Sequence, residues 1–364
     1  MNSKLFRTAA GLLAAVLLLP VDAAASSAKS SIVMDAQTGR VLQEKCADER
    51  SLIASTTKIM TALVVCEQCN VLDRVRIPKE AVGVEGSSMY LREGEILTVQ
   101  ELLYGLMLHS GNDAAIALAI YCGGTVEGFA ELMIDRARYL GLSGTHYVNP
   151  NGLDHPQHYS TARDLAVLSA YAMQNPIFAK TVSTKTVTIG NRSLKNHNKL
   201  LWLFDGADGV KTGFTKAAGR ILVSSATRNG RRLIAVTIHD RNDGQDHIDM
   251  LERGFRGYTV RQLVAAGEQI GTIKVLGGTE KEVPVLAQED YFYAMAEGEA
   301  VEYVIRSPGF AYAPVAQGGD AGFVYVCIDG KSVGKVPIVY GQTIEMEEQQ
   351  KHHFWDVLFG GRES

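Results

Sequence analysis

Apolar residues recur along this chain at two different periods, and the change from one to the other divides it. From Val99 to Tyr121 and from Thr125 to Leu140 they return every three or four residues, the spacing that lines one face of an α-helix. Shorter alternating or continuously apolar runs predict strands. SIVMDAQTGRVLQEK (31–45) reads as a hairpin about Thr38-Gly39, and RILVSSATRNGRRLIAVTIHD (220–240) as two strands joined at Asn229-Gly230, a pair suited to the positive φ of a two-residue turn. Thr161-Ala-Arg-Asp164 has the form of a capping box and opens a further helix. Interleaved in this way from Ile32 to about Tyr258, the elements predict a mixed α/β domain with helices on an antiparallel sheet, spanning 26–258. Beyond Tyr258 helical runs give way to strands such as GFVYVCI and VGKVPIVY between Gly and Asp turns, which predicts a small all-β domain over 259–345.

The two ends have their own patterns. A basic start (Lys4, Arg7), an apolar stretch to Leu19 and a small-residue exit at Ala23–Ala25 form a secretory signal peptide, 1–25, so the mature chain is expected to be exported. That stretch is shorter than the roughly 20 residues a bilayer requires, and Asp22 follows it. At the other end, 346–364, Phe354 and Leu358 are four apart, as are Trp355 and Phe359; a short helix would gather them on one stripe. Such a tail predicts peripheral attachment to the outer face of the cytoplasmic membrane, since it can lie in an interface and not span one.

Composition narrows the partners. With 364 residues, 46% hydrophobic and 21% charged, the chain can bury the core of one large domain and a smaller one, and a net charge of -4 without a basic cluster excludes a nucleic-acid polyanion. Five cysteines are an odd number for an exported chain, so at least one is left free or pairs between molecules. Cys66-x-x-Cys69 lacks both a thioredoxin-like setting and a second pair of metal ligands; a structural disulfide or buried thiols are expected there.

The candidate chemistry begins in IASTTKIMTAL (53–63), where Ser55 and Lys58 are three apart at the head of an apolar run. A serine hydroxyl becomes a nucleophile when a base takes its proton, and a lysine is that base only where its surroundings keep it partly neutral. Ser-x-x-Lys is short enough to recur by chance, as Ser26-x-x-Lys29 does, but that copy lies at the new N-terminus after maturation, where no pocket could tune a lysine. Two further stretches follow in order: Ser110-Gly111-Asn112 at a helix-to-loop break and Lys211-Thr212-Gly213 at the start of the hairpin's first strand. Alone, Ser110 and Asn112 read as a helix cap and Lys211 as a solvated lysine. Together they supply a proton-passing hydroxyl, an orienting amide and a cation for a carboxylate, and Lys211 is the second cation that would help keep Lys58 neutral. Thr212 and Thr215 would add hydroxyl donors, and Gly213 would let a substrate lie antiparallel along the strand edge. His155 and His158 have a metal-like spacing, and His109 precedes the second motif, but no acidic cluster accompanies them and no metal is expected.

Ser-x-x-Lys, Ser-x-Asn and Lys-Thr-Gly in this order, within ASTTKIMTAL, LLYGLMLHSGNDAAIALA, NPNGLD, HYSTARDLA, NHNKLL and DGVKTGFTKAAGR, resemble the low-molecular-mass penicillin-binding proteins that are serine D-alanyl-D-alanine carboxypeptidases. The resemblance covers essentially the whole mature chain and includes the β-domain that follows catalysis. It implies a β-lactamase/DD-peptidase-like fold and removal of the terminal D-alanine from a peptidoglycan stem peptide through an acyl-enzyme on Ser55. It also implies covalent inhibition by β-lactams, and no cofactor. Lys58 would be the base, Ser110 would relay a proton to the departing D-alanine, Asn112 would orient the acyl carbonyl, and the Phe214 N–H would join that of Ser55 in an oxyanion hole. Arg241 is a candidate to help Lys211 hold the carboxylate. A β-lactamase would need a deacylating glutamate, and no Glu-x-x-Leu-Asn occurs between Asn112 and Lys211. A silent wall-binding protein would leave the complete catalytic set without a reason.

Overall fold

The structure, a computed structural model, describes residues 26–348. The expected signal peptide and the aromatic stripe of the tail lie outside the described residues.

An antiparallel five-stranded sheet organises the first domain. Strand β1 (Ser30–Asp35) turns at Thr38-Gly39 into β2 (Val41–Lys45). A 3₁₀ turn (Ala54–Thr57) then leads into α1 (Lys58–Gln68), and β3 (Arg74–Arg76) pairs with β4 (Ile96–Thr98). The helical side continues through α2 (Val99–Leu108), α3 (Asn112–Gly123), α4 (Val126–Tyr139), α5 (Ala162–Ala172) and α6 (Pro176–Ser183). After the small hairpin β5 (Thr186–Ile189) and β6 (Arg192–Lys195) and the short α7 (Leu200–Leu203), the chain re-enters the sheet. It runs as β7 (Ala207–Thr215), β8 (Gly219–Arg228) and β9 (Arg231–Ile238), then closes with α8 (Asp243–Gly257). The spatial order is β2-β1-β9-β8-β7, which leaves β7 at an edge.

Both faces of this sheet are covered, and that is why β1, β8 and β9 are buried at consecutive residues instead of alternate ones. Ile32, Met34, Val223, Ile234 and Val236 join the core shared with α1, α2, α3 and α5. The alternate positions Val33, Leu222, Leu233 and Ala235 meet Met250 and Leu251 of α8 on the other face. The β8–β9 turn is the expected two-residue one, with φ of +50° at Asn229 and +77° at Gly230.

Several expectations need correction. The helical run from Val99 to Tyr121 is two helices: α2 stops at Leu108, Ser110 takes a left-handed φ of +63°, and α3 starts again at Asn112. Periodicity survives the break because both helices face one core. Only half of the capping box at Thr161 forms. Its hydroxyl accepts from the Asp164 N–H at 3.0 Å, whereas the Asp164 carboxylate turns to the Gly144 N–H and the Thr145 hydroxyl at 2.8 and 2.6 Å. Lys211-Thr212-Gly213 sits in the middle of its own strand, β7, ahead of the β8–β9 hairpin. All five cysteines are free thiols, so no disulfide forms at Cys66-x-x-Cys69; Cys46 is exposed and Cys327 buried.

From β10 (Tyr258–Val264) onward the chain is all β. Strand β10 pairs with β13 (Tyr291–Ala296). The remaining strands, β11 (Gln269–Leu276), β12 (Glu282–Ala287), β14 (Val301–Arg306), β15 (Phe310–Tyr312), β16 (Asp320–Ile328) and β17 (Lys331–Tyr340), form a six-stranded sheet ordered β14-β16-β17-β12-β11-β15. Its core is largely β-branched: Val275, Val283, Val285, Val324, Val336 and Ile338. Arg40, from the first hairpin, ties the two domains. Its guanidinium pairs with Glu299, donates to the Ala294 carbonyl at 2.5 Å and lies over the rings of Tyr258 and Tyr293.

Candidate active site

Ser55 lies in the 3₁₀ turn and Lys58 opens α1, so three residues of helical geometry place both side chains on one side. Lys58 Nζ donates to Ser55 Oγ at 2.9 Å, to Asn112 Oδ1 at 2.7 Å and to the Asn151 carbonyl at 2.5 Å. The lysine is fully buried. Burial first, and then the positive charge of Lys211, push its pKa well below the ordinary 10.5, against an opposing pull from Asp113. Loss of one proton leaves Nζ with a lone pair beside the serine hydroxyl, the arrangement an activated nucleophile needs. Lys211 is itself 2% exposed, donates to the Thr212 carbonyl at 2.8 Å, and is lowered to about 7 by burial.

Three neighbours hold the Ser55 turn in place. Gly152, at φ +86°, packs so closely that a Cβ there would stand 1.9 Å from the Ala54 carbonyl oxygen. The Thr57 hydroxyl donates to the Ala54 carbonyl at 2.8 Å and accepts from His158 Nε2–H at 2.7 Å. His158 Nδ1 accepts from the Val148 N–H at 3.2 Å, which fixes a neutral ring; burial lowers its pKa to about 4. His158 is therefore a buried strut in this fold. Strand β7 supplies the third contact, because a Cβ on Gly213 would meet Ile53 O and Thr56 N at 3.2 Å and Ser55 N at 3.3 Å.

The α2–α3 break brings the second motif to the same place. Ser110 and Asn112 are each 5% exposed. The Asn112 amide has a single orientation, since its Oδ1 accepts from Lys58 while its Nδ2 donates to the Glu85 carbonyl at 2.6 Å. Nearby, the rings of His109 and His197 are 5.2 Å apart, and burial together with Lys211 holds His197 near 4.

The residues singled out in the sequence are thus distributed unequally. Ser55, Lys58 and Asn112 share hydrogen bonds, Lys211 is close enough to bias Lys58, and Ser110 stands in the break beside Asn112. Thr212, Gly213, Phe214 and Thr215 follow Lys211 on the edge strand, with the Phe214 side chain 65% exposed. Two expectations change. The Thr215 hydroxyl is committed, donating to Asp154 at 3.0 Å and accepting from the Ala218 N–H at 3.0 Å. Gly213 lacks a side chain because the strand backs onto the Ser55 turn, whatever lies along its open edge. Arg241 is exposed in the turn after β9. Sequence reasoning missed the carbonyls of Asn151 and Glu85, the His158 strut, and Asp113 and Asp154. Asn149-Pro-Asn-Gly152 was a readable turn signal; nothing in it told that its carbonyl would face a lysine.

Comparison with known proteins fits this geometry. Residues 19–242 match the family model for D-alanyl-D-alanine carboxypeptidase, and residues 258–346 match that for the C-terminal domain of penicillin-binding protein 5. The chain is 32% identical over 332 residues to the D-alanyl-D-alanine carboxypeptidase DacF of Bacillus subtilis, covering 86% of this chain and 85% of that one. To DacC of Escherichia coli it is 33% identical over 345 residues, covering 89% and 86%. Among solved structures, penicillin-binding protein 5 from Haemophilus influenzae superimposes with a TM-score of 0.79 at 30% identity, covering 88% of this chain and 98% of that one. With a buried lysine on a serine hydroxyl, the three motifs around it and both domains matched, the chain belongs to the D-alanyl-D-alanine carboxypeptidase family and is a serine carboxypeptidase of the low-molecular-mass penicillin-binding type.

Proposed function

We propose that Ser55, Lys58 and Ser110 release the C-terminal D-alanine of a peptidoglycan pentapeptide at this site. Neutral Lys58 takes the Ser55 proton as Oγ attacks the penultimate carbonyl carbon, whose oxygen gathers negative charge against the N–H groups of Ser55 and Phe214. As the peptide C–N bond breaks, the proton passes from Lys58 through Ser110 to the leaving amine, and D-alanine departs. Asn112 orients the acyl chain, and Lys211, with Thr212 beside it on β7, faces the substrate carboxylate. Water then attacks the ester on Ser55, giving the shortened peptide and restoring the hydroxyl. A β-lactam enters by the same attack and leaves a longer-lived ester. The observation that carries this reading is the 2.9 Å bond from a fully buried lysine to Ser55 Oγ.

The setting follows from the ends of the sequence. We assign the enzyme to the outside of the cytoplasmic membrane, exported by its leader and held at the surface by the apolar stripe from Phe354 to Phe359, where its polymeric substrate is accessible. Three acidic groups, Glu347, Glu348 and Asp356, oppose anionic lipid, so the apolar stripe must supply the attraction.

Mass spectrometry of wall pentapeptide incubated with the mature protein tests the activity. The expected product is shorter by one alanine, alongside long-lived labelling by fluorescent penicillin. Rapid turnover of the label would make it a lactamase, and no label would make it a binder. Fractionation with and without residues 354–364 tests the attachment, which is wrong if both forms wash off membranes equally.

A further inference from the structure

The residue after the second motif is buried, charged and unused by the reaction as written. Asp113 is 1% exposed. Its Oδ1 accepts from the backbone N–H of Met89 at 3.1 Å and of Ala114 at 2.9 Å; its Oδ2 accepts from the Ser88 hydroxyl at 2.6 Å and the Leu91 N–H at 3.1 Å. One carboxylate thus fastens the 88–91 segment to the first turn of α3, where the helix dipole also favours a negative charge. Gly111 makes room for it, since a Cβ there would stand 2.7 Å from Asp113 Oδ1.

The fastened segment is also what orients Asn112. Just upstream, the Ser87 carbonyl accepts the Asn112 backbone N–H at 2.7 Å, and the Glu85 carbonyl accepts the Asn112 side-chain N–H at 2.6 Å. An amide reads the same to space when flipped, and only its partners decide which end faces Lys58. With Glu85 O in place the oxygen end meets Nζ. Without it, the NH₂ end is free to turn toward the lysine, where it meets donors with a donor.

We propose that Asp113 is a positioning residue for the acylation step: by pinning 88–91 to α3 it keeps Glu85 O against Asn112, and so keeps the Asn112 oxygen on Lys58. This rests on the carboxypeptidase reading of the site. Its charge has a second, separable effect. Lys58 faces Lys211 from β7, Asp113 from α3 and neutral His158 from the turn behind it, and of these Asp113 raises its pKa. Arg192, held by Glu95, is a second cation that feels the Asp113 charge.

The test uses the mature chain, with the rate of acylation by fluorescent penicillin followed against pH. Asp113→Asn keeps the shape but turns a donor toward the Leu91 N–H. It is expected to slow acylation about 10- to 100-fold, the scale of a small misplacement of a reacting group. It is also expected to move the acid limb to lower pH, because loss of the negative charge lets Lys58 lose its proton sooner. Ser88→Ala removes one bond and keeps the charge, so a smaller loss with an unmoved limb is expected. A full rate in both folded variants overturns the proposal. A slowed Asp113→Asn with an unmoved limb overturns the charge effect on Lys58 and supports the pinning alone. Should Asp113→Asn fail to fold, a full rate in Ser88→Ala overturns it and a reduced one supports it. If the unaltered protein is not acylated at all, it is the carboxypeptidase reading that fails.

Discussion

At the scale of single residues, the site depends on the protonation of one buried amine. Ser55→Ala is expected to abolish both penicillin labelling and D-alanine release, because the proposed mechanism forms the ester on that oxygen; gel fluorescence and D-alanine assay check it. Lys58→Ala should leave the fold in place and slow acylation by about 10²- to 10⁴-fold, the usual worth of a general base. Lys211 acts on the same amine from a distance. Its positive charge lowers the Lys58 pKa, so Lys211→Met removes that influence, raises the pKa of Lys58 and moves the acid limb of the acylation profile to higher pH, besides weakening binding of the carboxylate. The shift is opposite in sign to the one expected of Asp113→Asn. A fall in rate without a shift would limit Lys211 to binding.

At the scale of elements, the decisive contact is between a strand and a turn. Strand β7 lies at the sheet edge, yet at Gly213 it backs onto the 3₁₀ turn that carries Ser55, where a Cβ would crowd backbone atoms at 3.2–3.3 Å. The neighbours there are backbone atoms, which cannot swing aside as the end of a side chain would. Gly213→Ala should therefore push β7 away from Ser55 and cost about 1–3 kcal/mol, in the range of overpacking. Acylation should fall more than stability does, as thermal unfolding and penicillin labelling of the same sample would reveal; an unchanged acylation rate would mean the strand yields freely. The pattern of apolar positions placed these elements well, since the period of a helix or strand is written locally. The α2–α3 break was legible in Ser110-Gly111-Asn112 and not in the apolar period, because two helices against one core keep the period of one. The pattern also gave Lys211 the wrong place, at the start of the hairpin's first strand, whereas it lies on a separate strand, β7, that pairs with that first strand.

At the scale of the whole molecule, two buried lysines lower the stability that the core provides. Lys211 falls to about 7 in the folded state from 10.5 when unfolded, and Lys58 falls well below 10.5. Between those values the unfolded chain holds a proton that the folded one has released, so folding grows more favourable as pH rises from about 7 toward 10.5. Below pH 7 the penalty from Lys211 is full and constant. Each such group contributes a slope of up to about 1.4 kcal/mol per pH unit within its window. Unfolding measured at pH 7 and pH 9 should show Lys211→Met gaining most over the unaltered protein at the lower pH, with the gap narrowing at the higher. A gap that stays constant would show that Lys211 carries no pKa shift on folding.

What the sequence determined by itself was whatever depends on short spacing or on ordered coincidence: the helical and strand periods, the change of texture near Tyr258, the Asn229-Gly230 turn, and the three motifs whose joint order marks the family. Ser55 and Lys58 were legible because three residues of helix suffice to bring them together. The tertiary structure decided what depends on distance through space. Burial lowers the pKa of Lys211 and, with the charges of Lys211 and Asp113 acting in opposite directions, that of Lys58, and burial is a property of everything packed around a side chain. Asn151, Glu85 and His158 reach the site from segments remote in sequence or act through a backbone carbonyl, which any residue type supplies, and Asp113, though beside the second motif, acts by fastening a segment more than twenty residues away. The side chains that do chemistry leave a mark in their identity; the groups that hold them in place leave it mainly in their position.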